Sequence, residues 1–392
     1  MASIRRRELA DGSVRYDVVY RDPDRRQRVK TYRKKGSALA FANTTEADKQ
    51  RGQWIDPAAG KVTFEAYARD WLAMQTFERS TRDAVEQRLR RHVFQVLGRS
   101  QLRNVRPSTV QSWLRSIDHL APRTRKLIFG HVSTVFNAAV DDALIARNPC
   151  GAGSVRRPKA PPRKVVPWEQ TTVVAVRDAL PARYQVVAML CAGLGLRQGE
   201  AFGLSPDDVD WLRGSVRVRR QVELIGYRQV FAPPKYRRER DVPLPASVRD
   251  SLAAYLVEWP SRSVALPWVD PDEGRPTTVK LMVTTRESKA IHRGYFNSRI
   301  WKPALRKAGV PVSRENGTHA LRHFYASALL DAGENIRALS EYLGHADPGF
   351  TLRVYTHLMP SSAERTRTAI DVALAGPPTP AADVTGMSQD GG

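Results

Sequence analysis

Cysteine is nearly absent from this sequence: two residues in 392, Cys150 and Cys191, far apart along the chain. Two such thiols make neither a disulfide framework nor a zinc pattern, and both read as core fillers suited to a reducing compartment. Long apolar runs are missing too. The longest, Val186 to Leu196, is too short to cross a bilayer. The opening MASIRRRELADG has no apolar stretch that would serve as a signal peptide. A soluble, intracellular protein that avoids the membrane is expected. The stretch from Gly317 to His357 has no glycine-rich phosphate loop, paired carboxylate or metal-ligand cluster, and no metal or other cofactor is expected. Negative charge is also scarce, with 40 Asp+Glu against 63 Lys+Arg and a net charge of +23.

An excess of that size disfavours an isolated fold and suits a polyanionic partner. By itself it also fits a merely basic soluble protein or one that binds anionic membranes. The excess is not confined to one tail: it is +6 over residues 1–60, +10 over 61–160 and +7 over 161–392. Basic surface on every part suggests a chain that wraps its ligand. At this length two or three domains are expected.

The most informative stretch runs from Gly317 to His357, GTHALRHFYASALLDAGENIRALSEYLGHADPGFTLRVYTH. Thr318 can cap a helix that stops near Gly333, and His319, Arg322 and His323 share one face of it. A second short helix ends at Gly344 and leaves His345 just beyond its terminus. Asp347-Pro348 turns the chain into a third helix that carries Tyr355. One arginine, several imidazoles and a phenol are thereby gathered into a small volume. The set suits a phosphodiester: arginine holds non-bridging oxygens, imidazole moves protons, and the phenol attacks. Upstream, Arg197 and Glu200 stand one helical turn apart and can pair. Taken alone they would be an ordinary exposed pair. Beside Arg322, two guanidiniums on one phosphate are the better account.

These residues carry a family resemblance. His319-Ala-Leu-Arg322-His323, Leu343-Gly344-His345 and Tyr355-Thr-His357 resemble the motifs of the tyrosine recombinases of the phage integrase type, in order and spacing. Arg197 and Glu200 match that family's first catalytic arginine and its acidic neighbour. Pro234-Lys235 matches the position of its catalytic lysine. The resemblance implies a catalytic set of Arg197, Lys235, His319, Arg322, His345 and Tyr355, with Glu200 in support. Tyr355 would be the nucleophile, its pKa lowered by Arg197 and Arg322, and His319 the proton acceptor. His323 and His357 would be structural. Lys235 would protonate the leaving 5′-oxygen, while Lys30, Arg237, Arg238 and Arg240 would touch DNA backbone.

The implied fold is multidomain. Residues 1–57 would form a small β-sheet backed by a helix, an arm-type DNA-binding domain. Alternation marks strands over Ser13–Tyr20 and Gln27–Tyr32, joined at Asp22-Pro23-Asp24, with a helix over Ser37–Gln50. Arg5, Arg6, Arg7, Arg15, Arg26 and Arg28 are its candidate DNA contacts. Residues 61–151 would be an all-α, SAM-like core-binding domain of four helices, with Arg123, Arg125 and Lys126 as candidate contacts. A basic, proline-rich linker spans 152–164. Residues 165–374 would be a mixed, mainly α catalytic domain with a small antiparallel sheet, and 375–392 a disordered tail.

The expected activity is site-specific DNA strand exchange through a 3′-phosphotyrosyl intermediate, integrating and excising a mobile element. Its partners would be double-stranded attachment sites and three further copies in a homotetramer. A directionality factor and a DNA-bending host factor would assist, in the cytoplasm of a bacterial host, at the nucleoid. Two alternatives stand beside it: a type IB topoisomerase, and a catalytically silent architectural or repressor protein.

Overall fold

A computed structural model describes residues 2–21, 27–50, 59–161, 165–345 and 347–355, with positions 367, 370, 371 and 374 beyond them. The Asp22–Asp24 turn, Arg25, Arg26, Lys164, His357, most of the helix expected over 361–374 and the 375–392 tail lie outside the described residues. The chain divides into two compact units, Met1–Pro162 and Arg163–Gly392.

The first unit opens with strands β1 (Ser3–Glu8), β2 (Val14–Arg21) and β3 (Gln27–Tyr32), antiparallel in that order, followed by helix α1 (Lys35–Gln50). Strand β1 was not expected, because three consecutive arginines break its alternation. It pairs at the sheet edge and gives only Ile4 to the core shared by Val18, Tyr20, Ala38 and Ala42. Gly12 at φ +77° closes the β1–β2 turn, helped by the Asp11 carboxylate, which accepts the Ser13 N–H at 2.9 Å. Strand period then splits the candidate arginines. Arg5, Arg7 and Arg15 lie on the face away from α1, while Arg6 and Arg28 share the side of Tyr16 and Tyr20. Lys30 lies on that second side, its Nζ 4.4 Å from the Phe41 ring centre.

Helices α2 (Phe64–Met74), α3 (Arg79–His92), α4 (Phe94–Leu97), α5 (Pro107–Ser116) and α6 (Pro122–Asp141) complete this unit. Thr63 caps α2 by accepting the Ala66 N–H at 3.3 Å. Trp113, fully buried, donates its indole N–H to the His92 carbonyl at 2.7 Å, and Phe64 and Phe136 pack at 5.0 Å. Val155 belongs to the same core, and the Arg156 N–H bonds Gln111 Oε1 at 2.9 Å, so the chain after 151 stays on these helices. Arg123 and Lys126 are exposed on α6. Arg125 is half-buried in a cleft beside Arg115, Arg156 and Lys159.

The second unit is built around α8 (Ala182–Gly193), which packs with α7 (Gln170–Ala179) and α9 (Gln198–Phe202). Val186, Val187, Leu190 and Cys191 put apolar side chains of α8 into one large core. Strands β4 (Val209–Asp210), β5 (Ser215–Val218) and β8 (Arg240–Pro243) form one small antiparallel sheet, and β6 (Gln221–Ile225) with β7 (Arg228–Ala232) another. The segment 233–245 is thus not the strand pair expected of it. Pro233 and Pro234 cannot donate to a ladder. The chain leaves β7 through a tight turn at Lys235–Arg237, with Tyr236 and Arg237 at φ +64° and +53°, and β8 then pairs with β5. After α10 (Ala246–Glu258) a third pair, β9 (Arg262–Pro267) and β10 (Pro276–Leu281), flanks the loop expected at Trp268. Helix α11 (Arg293–Tyr295) and a π-turn (Phe296–Trp301) lead into α12 (Lys302–Lys307). The unit's described helices end with α13 (His319–Asp331), α14 (Ile336–Leu343) and α15 (Pro348–Tyr355).

Candidate active site

Helix α13 starts where the sequence predicts, although Thr318 is itself helical (φ −51°, ψ −21°) and its hydroxyl makes no capping bond. Helix α14 is capped properly: Asn335 accepts the Arg337 N–H at 2.7 Å, and Gly344 closes the far end at φ +60°. The αL turn at Gly344 sends the Gly344 and His345 N–H groups back to Glu341 and Ser340, which fixes where His345 leaves the helix. On α15, Thr351 and Tyr355 are one turn apart and both are buried.

Three guanidiniums meet at the C-terminus of α14, where carbonyls point outward without helical partners. Arg240 Nε donates to the Tyr342 carbonyl at 2.7 Å. Arg322 Nη2 donates to the next carbonyl, Leu343, and Arg197 Nη2 to the one after, Gly344, at 3.0 Å. Arg322 also donates to Gly195 O at 2.6 Å and approaches His345 Nε2 at 3.2 Å. Arg197 and Glu200 pair as the spacing predicts, Nη1 to Oε1 at 2.8 Å, but not on the surface: Glu200 is 1% exposed. Arg240 overturns its expected role. It is buried and grips both Glu200 oxygens, at 3.1 and 2.7 Å, so it is not a DNA-backbone contact. Lys235, by contrast, is exposed in its turn, its Nζ 5.2 Å from the Tyr236 ring centre.

The imidazoles sort by partner. His345 Nδ1 lies 2.7 Å from Thr351 Oγ1. A guanidinium can only donate, so Nε2 of His345 is the acceptor and Nδ1 carries the proton. Burial, then Arg322 and Arg197, push His345 down to a pKa of about 3, so it is neutral. The imidazole at the phenol is His323, with Nδ1 2.6 Å from the Tyr355 hydroxyl. His319, assigned the proton by sequence, stacks edge-on against His323 at 5.6 Å. More than a third of His319 is in solvent, which limits how far desolvation can act. Desolvation and then the Arg322 charge still lower its pKa. The reason His323 and not His319 meets the hydroxyl is rotational: the two are one turn apart on α13, and α15 crosses nearer the second. Chain spacing could not choose between them.

The expected lowering of the Tyr355 pKa is also overturned. Arg322 does pull it down, but desolvation at 2% exposure outweighs that pull and raises the pKa to about 12. In this state the phenol keeps its proton and can donate it to His323. Arg322 is shifted downward by burial and by Arg197, yet a guanidinium stays charged at neutral pH.

Gly195 is held to glycine by this arrangement. Its φ is +62°, its carbonyl receives Arg322, and an added Cβ would lie 2.4 Å from the Tyr325 ring. Gly195→Ala should destabilise the second unit by about 2–4 kcal/mol, from strained backbone and overpacking together. Urea unfolding would show this as a lowered midpoint; an unchanged midpoint would mean that Tyr325 moves freely.

Comparison with known proteins gives the family and the fold. The model of the phage integrase family matches residues 169–362, and that of the phage integrase central domain matches residues 64–154. The integrase of Mycobacterium phage L5 is 26% identical over 335 residues, covering 83% of this chain and 85% of its own. A prophage phiRv2 integrase of Mycobacterium tuberculosis is 28% identical over 360 residues, covering 88% and 89%. In fold, the chain is similar to the Tn1549 transposon integrase in complex with circular-intermediate DNA (TM-score 0.63, 17% identity, 79% of this chain and 99% of that one). It is also similar to a lambda integrase tetramer bound to a Holliday junction (TM-score 0.57, 15% identity, 88% and 96%). With a buried arginine cluster, neutral imidazoles and a phenol in the catalytic unit, the chain belongs to the phage integrase family and is a tyrosine recombinase, an enzyme that cuts and rejoins DNA strands.

Proposed function

We propose that this recombinase integrates and excises a mobile element at specific attachment sites, as a homotetramer on two DNA partners. The observation that supports this best is the cluster formed by Arg197, Arg322, His345, His323 and Tyr355. Arg197 and Arg322 each keep N–H groups beyond those given to protein carbonyls, since a guanidinium has five. These take the non-bridging oxygens of the scissile phosphate, while His345, accepting from Arg322, holds that guanidinium in place. The Tyr355 oxygen attacks phosphorus, forming a 3′-phosphotyrosyl ester, and the bond to the 5′-oxygen breaks. The phenol proton passes to His323, and Lys235 protonates the leaving oxygen. The ester retains the bond's free energy, so a 5′-hydroxyl of another strand reverses the step without ATP. A directionality factor and a DNA-bending protein would select between integration and excision. The relatives named integrases, over four-fifths of the chain, favour this reading above a topoisomerase.

A nicked duplex that loses its 5′ fragment on cleavage tests the chemistry, because it traps the covalent adduct. Wild type should accumulate adduct, and a duplex binder without chemistry would give none. The same assay assigns the proton. His323→Gln should slow adduct formation by about 100-fold or more, as loss of a general base does, and should flatten the acid limb of the pH–rate profile. His319→Gln should leave that limb in place. The opposite pattern would return the role to His319.

A further inference from the structure

Arg240 has no part in the chemistry described above, yet it is among the few charged side chains buried in this unit, at 7% exposure. It begins β8, five residues after Lys235. Its guanidinium makes three bonds, one to Tyr342 O and one to each oxygen of Glu200. Glu200 is consequently full. Oε1 receives Arg197 Nη1 at 2.8 Å and Arg240 Nη1 at 3.1 Å; Oε2 receives the Arg197 backbone N–H at 2.9 Å and Arg240 Nη2 at 2.7 Å. Gly344, whose carbonyl binds Arg197, packs directly on Arg240: a Cβ there would lie 3.0 Å from Nη1. Arg240 therefore ties the strand that follows Lys235 both to the carboxylate that orients Arg197 and to the helix end that presents His345.

We propose that Arg240 is a positioning residue for strand cleavage: it locks Glu200 and the C-terminus of α14, and so holds Arg197 and His345 at the geometry the scissile phosphate requires. The charges give it a second effect. One carboxylate stands among three guanidiniums, Arg197, Arg240 and Arg322. Arg240 takes the bidentate share of the carboxylate's charge, which leaves the Arg197 charge directed at an incoming phosphate. Without Arg240, Glu200 would turn that attraction upon Arg197 alone. Arg240 touches no substrate in this scheme.

The proposal rests on the recombinase reading, and its test separates the two. Adduct formation is measured in a single turnover, at saturating nicked duplex, for wild type, Arg240→Gln and Arg240→Lys. Each protein is given a normal phosphodiester and, separately, a neutral methylphosphonate at the cleavage point. If wild type forms no adduct, the recombinase reading itself fails. If it does, Arg240→Gln should cleave the phosphodiester about 100-fold more slowly, the order lost when a reacting group moves by about an ångström. On the neutral ester, which asks less of the Arg197 charge, the loss should be about 10-fold or less. The dissociation constant for intact duplex should change by less than about threefold. Arg240→Lys keeps the charge and guards against a Gln variant that does not fold. It should be folded and about 10-fold slow, since one ammonium cannot span both Glu200 and Tyr342 O. Wild-type rates in both variants would overturn the proposal, and so would equal losses on the charged and neutral esters.

Discussion

Tyr355→Phe will bind duplex DNA as tightly as wild type and will form no covalent adduct with it. The size of the effect follows from what the substitution leaves in place. The ring is buried among Tyr325, Leu339 and Leu343, and phenylalanine keeps that packing. What goes is one hydroxyl and its 2.6 Å bond to His323. A net hydrogen bond contributes about 1 kcal/mol, which in a unit of this size shifts Tm by roughly 2–4 °C. Cleavage, however, should fall by at least about 10⁴-fold, because no other oxygen stands in for the nucleophile. Denaturing electrophoresis of the trapped duplex reads the adduct and a gel shift reads binding. An adduct of wild-type yield in the variant would remove Tyr355 from the mechanism. Loss of folding would instead show that the hydroxyl supports structure.

The raised pKa of Tyr355 sharpens this expectation. In the state described here the phenol is neutral, desolvated and bound to His323, while Arg322 is engaged with Gly195, Leu343 and His345. Arriving phosphate would supply the counter-charge that the arginine cluster lacks and would draw N–H groups toward its own oxygens. Cleavage by wild type should therefore keep rising with pH through the neutral range and on toward the pKa of the bound phenol.

Much of this site was legible in the sequence because each motif joins a local structural rule to a chemical group. A glycine at the end of α14 must take the αL turn, and the residue after it, His345, then has a fixed exit. Residues three and four apart on α13 must share a face, which placed His319, Arg322 and His323 together. What local rules did not reach were contacts set by the packing of one element on another. The contact of the Tyr355 hydroxyl with His323, and not with His319, depends on where α15 crosses α13. The burial of Arg240 depends on β8 pairing with β5 instead of β7, and within KYRRERD it looks like any other solvated arginine. Strand β1 lacked an apolar stripe because a sheet edge needs only one side chain, Ile4, in the core.

Glu200→Ala will strongly destabilise the catalytic unit, and its cost will depend on pH. The carboxylate is 1% exposed and holds two guanidiniums, so its removal leaves buried cations without a counter-charge. Breaking a buried pair in this way costs about 3–5 kcal/mol. Glu200→Gln keeps the shape and two acceptor lone pairs but loses the charge, and should cost less. Burial alone would raise the Glu200 pKa, yet Arg240, followed by Arg197, overcomes it and holds the pKa at about 2, against an ordinary 4.5. A folded-state pKa below the unfolded one means that the unfolded chain binds the proton first as pH falls. The carboxylate's contribution is therefore complete above about pH 4.5 and is lost between there and about pH 2. At about 1.4 kcal/mol per pKa unit the full contribution is on the order of 3 kcal/mol. Urea midpoints between pH 7 and pH 3 should thus fall more steeply for wild type than for Glu200→Gln, which has no proton to gain, and the two curves should converge toward the acid end. Parallel curves would mean that Glu200 titrates normally, and the arginine cluster would then need another counter-charge.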